Sequence, residues 1–176
     1  MNETYEKSID LYDDNIGKVE YVEHMGSDLT IVNSARVSFG KHKDELDNRD
    51  KKLISYLIKH RHTSTLEHNV ATFRFCVPLF VRSQHHRHRT WSYNEISRRY
   101  TDIDIRFYEP TAFRTQHEDN RQASNVDKAI NPLWNVYSSG RSETVSERIR
   151  YHHEESLHLY DRLINLGVCR EQARGV

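Results

Sequence analysis

The sequence predicts an α+β fold, with strands in its first part, helices around them and a helical second half. Three observations carry that prediction. Residues 18–25 (KVEYVEHM) and 69–77 (NVATFRFCV) alternate as half-buried strands do, the second with Phe73, Phe75 and Val77 on one face. Leu53, Ile54, Leu57 and Ile58 recur at helical spacing and form one apolar stripe. Thr144-Val145-Ser146-Glu147 matches a capping box, in which hydroxyl and carboxylate satisfy each other's backbone N–H groups at a helix start.

The elements follow in order. After the strand at 18–25, Ser27 or Asp28 can cap a helix through Leu29, Val32, Ala35 and Val37. A charged loop from Gly40 to Asp47 leads into the helix that carries the 53–58 stripe. The strand at 69–77 stops at Pro78, which cannot donate to a ladder and could equally open a helix as its first residue. A further strand is expected at 102–108 (DIDIRFY), closed by Pro110, and residues 111–140 are polar without a readable period. The capped helix from 145 carries Ile149, Leu157, Tyr160 and Leu163 or Ile164, and Gly167 stops it. Another helix begins at 169, and the chain ends at Val176.

At 176 residues the chain fits one domain able to bury a core. Lys plus Arg (26) balances Asp plus Glu (26), so no global basic field recruits nucleic acid. A charged fraction of 30% and a mean hydropathy of -0.87 are polar for this size, which points to apolar surface either shared between subunits or missing from the chain. Only Cys76 and Cys169 are present, without zinc spacing, so a reduced cytosolic protein is expected. The segment Met1–Glu6 is acidic and unlike a signal peptide, and no apolar run approaches transmembrane length. His60 with His62, His85 with His86 and His88, and His152 with His153 could suggest a metal, but no Cys or carboxylate completes a set, and none is expected. His152, His153 and His158 read as the polar faces of a long helix.

The chemistry concentrates in Arg87-His88-Arg89-Thr90-Trp91-Ser92-Tyr93-Asn94-Glu95-Ile96-Ser97-Arg98-Arg99-Tyr100. Four arginines, a histidine, a carboxylate, an amide and three aromatics share this stretch with one aliphatic side chain, which is hard to explain as packing. Guanidinium forks match phosphate oxygens and aromatic rings stack on bases, so the stretch suits an anionic aromatic ligand such as a nucleotide. The scattered glycines provide neither a Rossmann turn nor a phosphate loop, so side chains must hold any phosphate. If 87–89 is extended, Arg87 and Arg89 point one way and His88 the other. If 94–99 is a helical turn, Glu95 meets Arg99 and Asn94 meets Ser97. Ser92 and Ser97 read as hydrogen-bonding groups, and Cys76 as a buried inert thiol.

The run RHRTWSYNEISRRY resembles the signature of the flavin-dependent thymidylate synthases, the ThyX family. Ser34–Phe39, Lys59–His68 and Gly167–Arg174 resemble further segments of that family in the expected order. The resemblance implies a ThyX-like fold over 1–176 as a single domain, with a mixed or antiparallel sheet flanked by helices. It implies synthesis of dTMP from dUMP, with methylenetetrahydrofolate as carbon donor, FAD as cofactor and NADPH as reductant, in a homotetramer. By the same resemblance, His62, Ser64, Glu67, Arg87, His88, Arg89 and Glu95 match positions around the flavin. Gln84, Arg87, Glu95, Ser97, Arg98, Arg99 and Arg174 match positions around dUMP, with a backbone contact expected at Arg98.

Family members continue past the position of Val176, where the arginine proposed to polarise the uracil would lie, so C-terminal truncation is expected and no catalytic residue is assigned. Two alternative readings stay open. One is an inactive protein that binds FAD or dUMP without turnover. The other is a single-stranded nucleic-acid-binding module stacking bases on Trp91, Tyr93 and Tyr100, against which the neutral net charge counts.

Overall fold

Alternating residues at 18–25 and 70–76 pair as antiparallel strands in a computed structural model, which describes residues 7–136 and 140–176. The N-terminal Met1–Glu6 segment and part of the unassigned 111–140 stretch therefore lie outside the described residues. The chain divides into two compact units, 1–76 and 77–176.

In the first unit, β1 (Ser8–Asp10), β2 (Lys18–Met25) and β3 (Val70–Cys76) form an antiparallel sheet in that order. The register runs from Lys18 opposite Cys76 to Met25 opposite Val70, with a shift between Tyr21 and Glu23. That shift leaves Val22 as the extra residue of a bulge. Tyr21 sits opposite Phe73 and meets it edge-on at 6.1 Å. The β1–β2 connection turns on Asp14, whose carboxylate accepts from the N–H groups of Ile16 (2.8 Å) and Gly17 (2.7 Å).

Ser27, not Asp28, caps α1 (Asp28–Arg36), through a reciprocal box with Thr30. The helix then tightens to a 3-10 turn at Val37–Phe39, which turns Val37 out of the expected face and leaves it 74% exposed. Val32 is buried as expected, and Ile31 with it. Asp47 caps α2 (Asn48–Lys59), whose stripe buries Leu57 but leaves Ile58 exposed. The two helices are tied by polar groups. The Asn33 amide exchanges two 2.9 Å hydrogen bonds with the Lys43 backbone. The fully buried Asp50 accepts from Arg36 (2.7 Å), from the Lys43 ammonium and from the Asp47 N–H (3.0 Å). The Lys43 hydrogen bond, aided by the other donors, holds the Asp50 carboxyl well below the usual carboxylate range.

In the second unit, Pro78 is the cap of α3 (Leu79–His85), one place ahead of the expected first helical residue. Two hairpins occupy the stretch without a readable period: β4 (Phe113–Gln116) with β5 (Ser124–Ile130), and β6 (Leu133–Val136) with β7 (Arg141–Thr144). Thr144 caps α4 (Val145–Asn165) with Glu147, as the box predicts, and Gly167 follows with φ of +88°. α5 (Arg170–Ala173) is the final turn. The expected strand at 102–108 does not form. Asp104 is left-handed at φ of +56°, and the carbonyls of Ile103 and Asp104 accept from Arg98 instead of a neighbouring strand. Side chains hold the rest of that segment. Phe107 stacks on His153 at 4.2 Å, Tyr108 meets Phe80 edge-on, and Glu109 bonds His153 (3.0 Å). His153 is thus a packed residue, whereas His152 and His158 remain exposed as expected of a polar face.

Few apolar side chains among the described residues are buried: Ile31, Val32 and Leu57 in the first unit, Tyr160 and Ala173 in the second. Cys76 is half-buried rather than enclosed, and Cys169 is exposed. No described helix is long and apolar enough to cross a membrane, and no three described His, Cys, Asp or Glu side chains are placed to hold a metal ion.

Candidate functional site

The arginine-rich motif begins where α3 ends. Its first residues are not extended. The Arg87 N–H donates to the Gln84 carbonyl (3.2 Å) and the His88 N–H to that of His85 (3.1 Å), so the helix winds into a tight turn. The strand-like alternation of Arg87 and Arg89 against His88 is therefore corrected, because the helix C-terminus uses these N–H groups to satisfy its own last carbonyls. Arg87, His88 and Arg89 are all exposed. Among the described residues, neither Arg87 nor Arg89 has an acidic partner.

Aromatic rings brace this turn. Trp91 meets His85 edge-on at 4.5 Å, and Tyr93 lies against His86 at 4.2 Å. The Tyr93 hydroxyl reaches the carbonyls of His85 (2.8 Å) and His88 (3.1 Å).

Glu95 does not pair with Arg99, since 94–96 is not helical and the i,i+4 geometry is never set up. It is gripped from α3 by Arg82, whose Nε donates to Oε2 at 2.6 Å while Nη2 donates to Oε1. This side-on fork holds the Glu95 carboxyl below the usual carboxylate range, with further help from the charges of His86 and Arg174. Asn94 likewise forms no helical pair with Ser97. A single helical turn does start at Ser97, whose carbonyl accepts from the N–H groups of Tyr100 (3.0 Å) and Thr101 (3.3 Å).

Arg98 and Arg99 are not equivalent. Arg98 is committed to the backbone, donating to the carbonyls of Ile103 (2.7 Å) and Asp104 (3.1 Å). Arg99 stays exposed and donates to the Tyr100 hydroxyl at 3.2 Å. Gln84 is exposed on the last turn of α3. Arg174 follows α5, which Arg170 anchors to Asp102 at 3.0 Å, and that bond holds the Asp102 carboxyl low.

Three expected flavin positions lie in the first unit. Ser64 sits in the 3-10 turn Thr63–Thr65, Glu67 just beyond it, and His62 just before, edge-on to Tyr56 at 6.1 Å. All three are exposed. The turn is pinned by the His62 N–H on the Leu57 carbonyl (2.9 Å) and by the Thr65 hydroxyl on the His62 carbonyl (3.0 Å).

Sequence reasoning missed Arg82. The signal that could have found it was Pro78 as a helix opener, which puts Arg82 on the helix that runs into the motif. The second unit thus gathers Gln84, Arg87, His88, Arg89 and Glu95 around one braced turn, with Ser97, Arg98 and Arg99 on the next. Exposed guanidiniums without internal counter-charges, beside stacking rings and one fixed carboxylate, can hold phosphate and position a polar ring or sugar.

Comparison with known proteins identifies relatives of this chain. The family model described as "Thymidylate synthase complementing protein" matches residues 20–176, through both units. A flavin-dependent thymidylate synthase from Thermus thermophilus is 41% identical over 160 residues, which cover 91% of this chain and 54% of that protein. One from Thermosipho melanesiensis is 38% identical over 158 residues, covering 90% and 65%. The crystal structure of a UMP/dUMP methylase, PolB from Streptomyces cacaoi, bound with 5-Br UMP, matches at a TM-score of 0.66 and 32% identity, over 89% of this chain and 64% of that one. A second structure of that methylase, bound with 5-Br dUMP, matches at 0.64. The chain spans between about half and two thirds of the length of these relatives. By its match from residue 20 to 176, the chain belongs to the family of the flavin-dependent thymidylate synthases.

Proposed function

We propose that this protein serves in FAD-dependent synthesis of dTMP from dUMP, with methylenetetrahydrofolate as carbon donor and NADPH as reductant. The observation that carries the reading is the pair of exposed guanidiniums, Arg87 and Arg89, which have no acidic partner among the described residues and stand on a turn braced by aromatic rings. The neighbouring methylase structures, bound with 5-Br UMP and 5-Br dUMP, support a uridine nucleotide as the ligand class.

The residues suit a flavin dinucleotide. Arg87, His88 and Arg89 would hold its phosphates; His62, Ser64 and Glu67, in the first unit, are separate candidates for flavin contact by the family resemblance. A bound reduced flavin supplies the hydride, so the chain needs no nucleophile of its own. Gln84, Arg87, Glu95, Ser97, Arg99, Arg174 and the backbone at Arg98 would surround dUMP. The ionised Glu95 accepts hydrogen bonds, and the guanidiniums offset phosphate charge. The family match through both units supports reading 1–176 as one domain. Exposed apolar residues such as Val37, Phe39, Ile96 and Tyr100 support assembly of copies. That the assembly is a homotetramer and lies in the cytoplasm rests on the family resemblance and the cysteine usage.

The test is purified protein with FAD, NADPH, methylenetetrahydrofolate and dUMP. Formation of dTMP supports the proposal, and FAD bound without dTMP makes this chain a binding protein only. A folded protein that takes up no flavin removes the reading.

A further inference from the structure

We propose that Tyr93 and Arg82 are positioning residues that set the Gln84–Arg89 turn in its ligand-holding shape before any ligand arrives. The turn is the end of a helix, where the last carbonyls lack intrahelical partners. His85 closes α3, and its carbonyl accepts from the His88 N–H (3.1 Å) and from the Tyr93 hydroxyl (2.8 Å). A phenol carries one proton, so its second contact, with the His88 carbonyl at 3.1 Å, makes a single bond shared between two acceptors. One hydroxyl thereby pins both ends of the His85–His88 turn from outside the helix.

Arg82 closes the same segment at its mouth. Its fork on Glu95 spans thirteen positions, so every residue from Ser83 to Asn94 lies inside a loop clamped at its ends by Arg82 and within by Tyr93. The contact of Tyr93 with His86 at 4.2 Å aligns the ring, which makes the phenol a brace for the backbone rather than a free platform for a base. The consequence is preorganisation. Arg87 and Arg89 project from a backbone already fixed, so less ordering opposes ligand binding.

The ligand arm of the test rests on the flavin reading above, and the backbone arm does not. Tyr93→Phe keeps the ring and removes only the oxygen, whereas Arg82→Gln releases Glu95. Hydrogen exchange of the whole chain is followed at the 86–90 amides, alongside the melting temperature and an FAD titration. Loss of one shared neutral hydrogen bond is worth roughly fivefold to tenfold. Exchange at 86–90 is expected to accelerate by about that factor in Tyr93→Phe, and the FAD Kd to rise by at most that factor, in proportion to the fall in the competent population. Arg82→Gln is expected to loosen the same amides. Exchange at 86–90 unchanged in both variants overturns the proposal. So does a melting temperature lowered with the FAD Kd unchanged, the mark of a purely structural role. If the unaltered chain binds no FAD while exchange still accelerates, the flavin reading fails and the positioning roles stand.

Discussion

Replacing Arg87 by alanine separates binding from folding, because among the described residues this side chain has no acidic partner to lose. Arg87 is exposed, and among the described residues it has no acidic partner, so its truncation should move stability by no more than about 0.5 kcal/mol. A charge-assisted hydrogen bond to a phosphate is worth about 1.5–3 kcal/mol, and solvent exposure places Arg87 near the lower end. The expected result is roughly a tenfold rise in the Kd for FAD at physiological salt, growing as salt is lowered. Arg87→Lys keeps the charge without the planar fork and should fall between the two. Urea unfolding read by circular dichroism measures the first quantity, and quenching of flavin fluorescence the second. A variant that binds FAD like the unaltered protein, or that loses affinity only as fast as it loses stability, refutes the reasoning.

The buried carboxylate of Asp50 should make the fold acid-sensitive. Its carboxyl lies below the unfolded value, so its contribution is present above about pH 4 and is lost as the pH falls below that. Asp50→Asn should be less stable than the unaltered chain at pH 7, with the gap closing toward about pH 2 in acid unfolding followed by circular dichroism. Leu57→Ala, at a side chain 5% exposed, should cost about 2–5 kcal/mol in urea unfolding. Thr144→Ala removes the hydroxyl that caps α4 and should cost about 1 kcal/mol, while Thr144→Ser should retain most of the stability.

The legible parts of the fold are those in which periodicity and capping point the same way. The strand read at 18–25 is β2 with the same ends, and the box at Thr144 opens α4 where expected. The hairpins from 113 to 144 were hidden because their pairing leans on polar side chains. Asn125, for instance, bonds across to the Thr115 hydroxyl (3.2 Å) and the Gln116 carbonyl (3.1 Å). The 102–108 segment alternates like a strand, but Arg98 takes two of its carbonyls and Phe107 is drawn onto His153. Here a local pattern lost to tertiary contacts.

The same division holds at the site. Residue types in 87–100 suggest an anionic aromatic ligand, because so many arginines and rings together have little use in a core. Their conformation is not legible, since it is set by Arg82, thirteen positions from its partner, and by one phenolic oxygen acting on two carbonyls. Neither link leaves a periodic trace in the chain.

Adding dUMP to the FAD-loaded protein and recording the visible flavin spectrum bears on whether the motif serves flavin and nucleotide together. A saturable spectral change on dUMP addition, weakened in Arg87→Ala, is the expected result. A folded protein that retains flavin but whose spectrum dUMP leaves untouched at saturating concentration, or that retains no flavin at all, would contradict a joint site built on this turn.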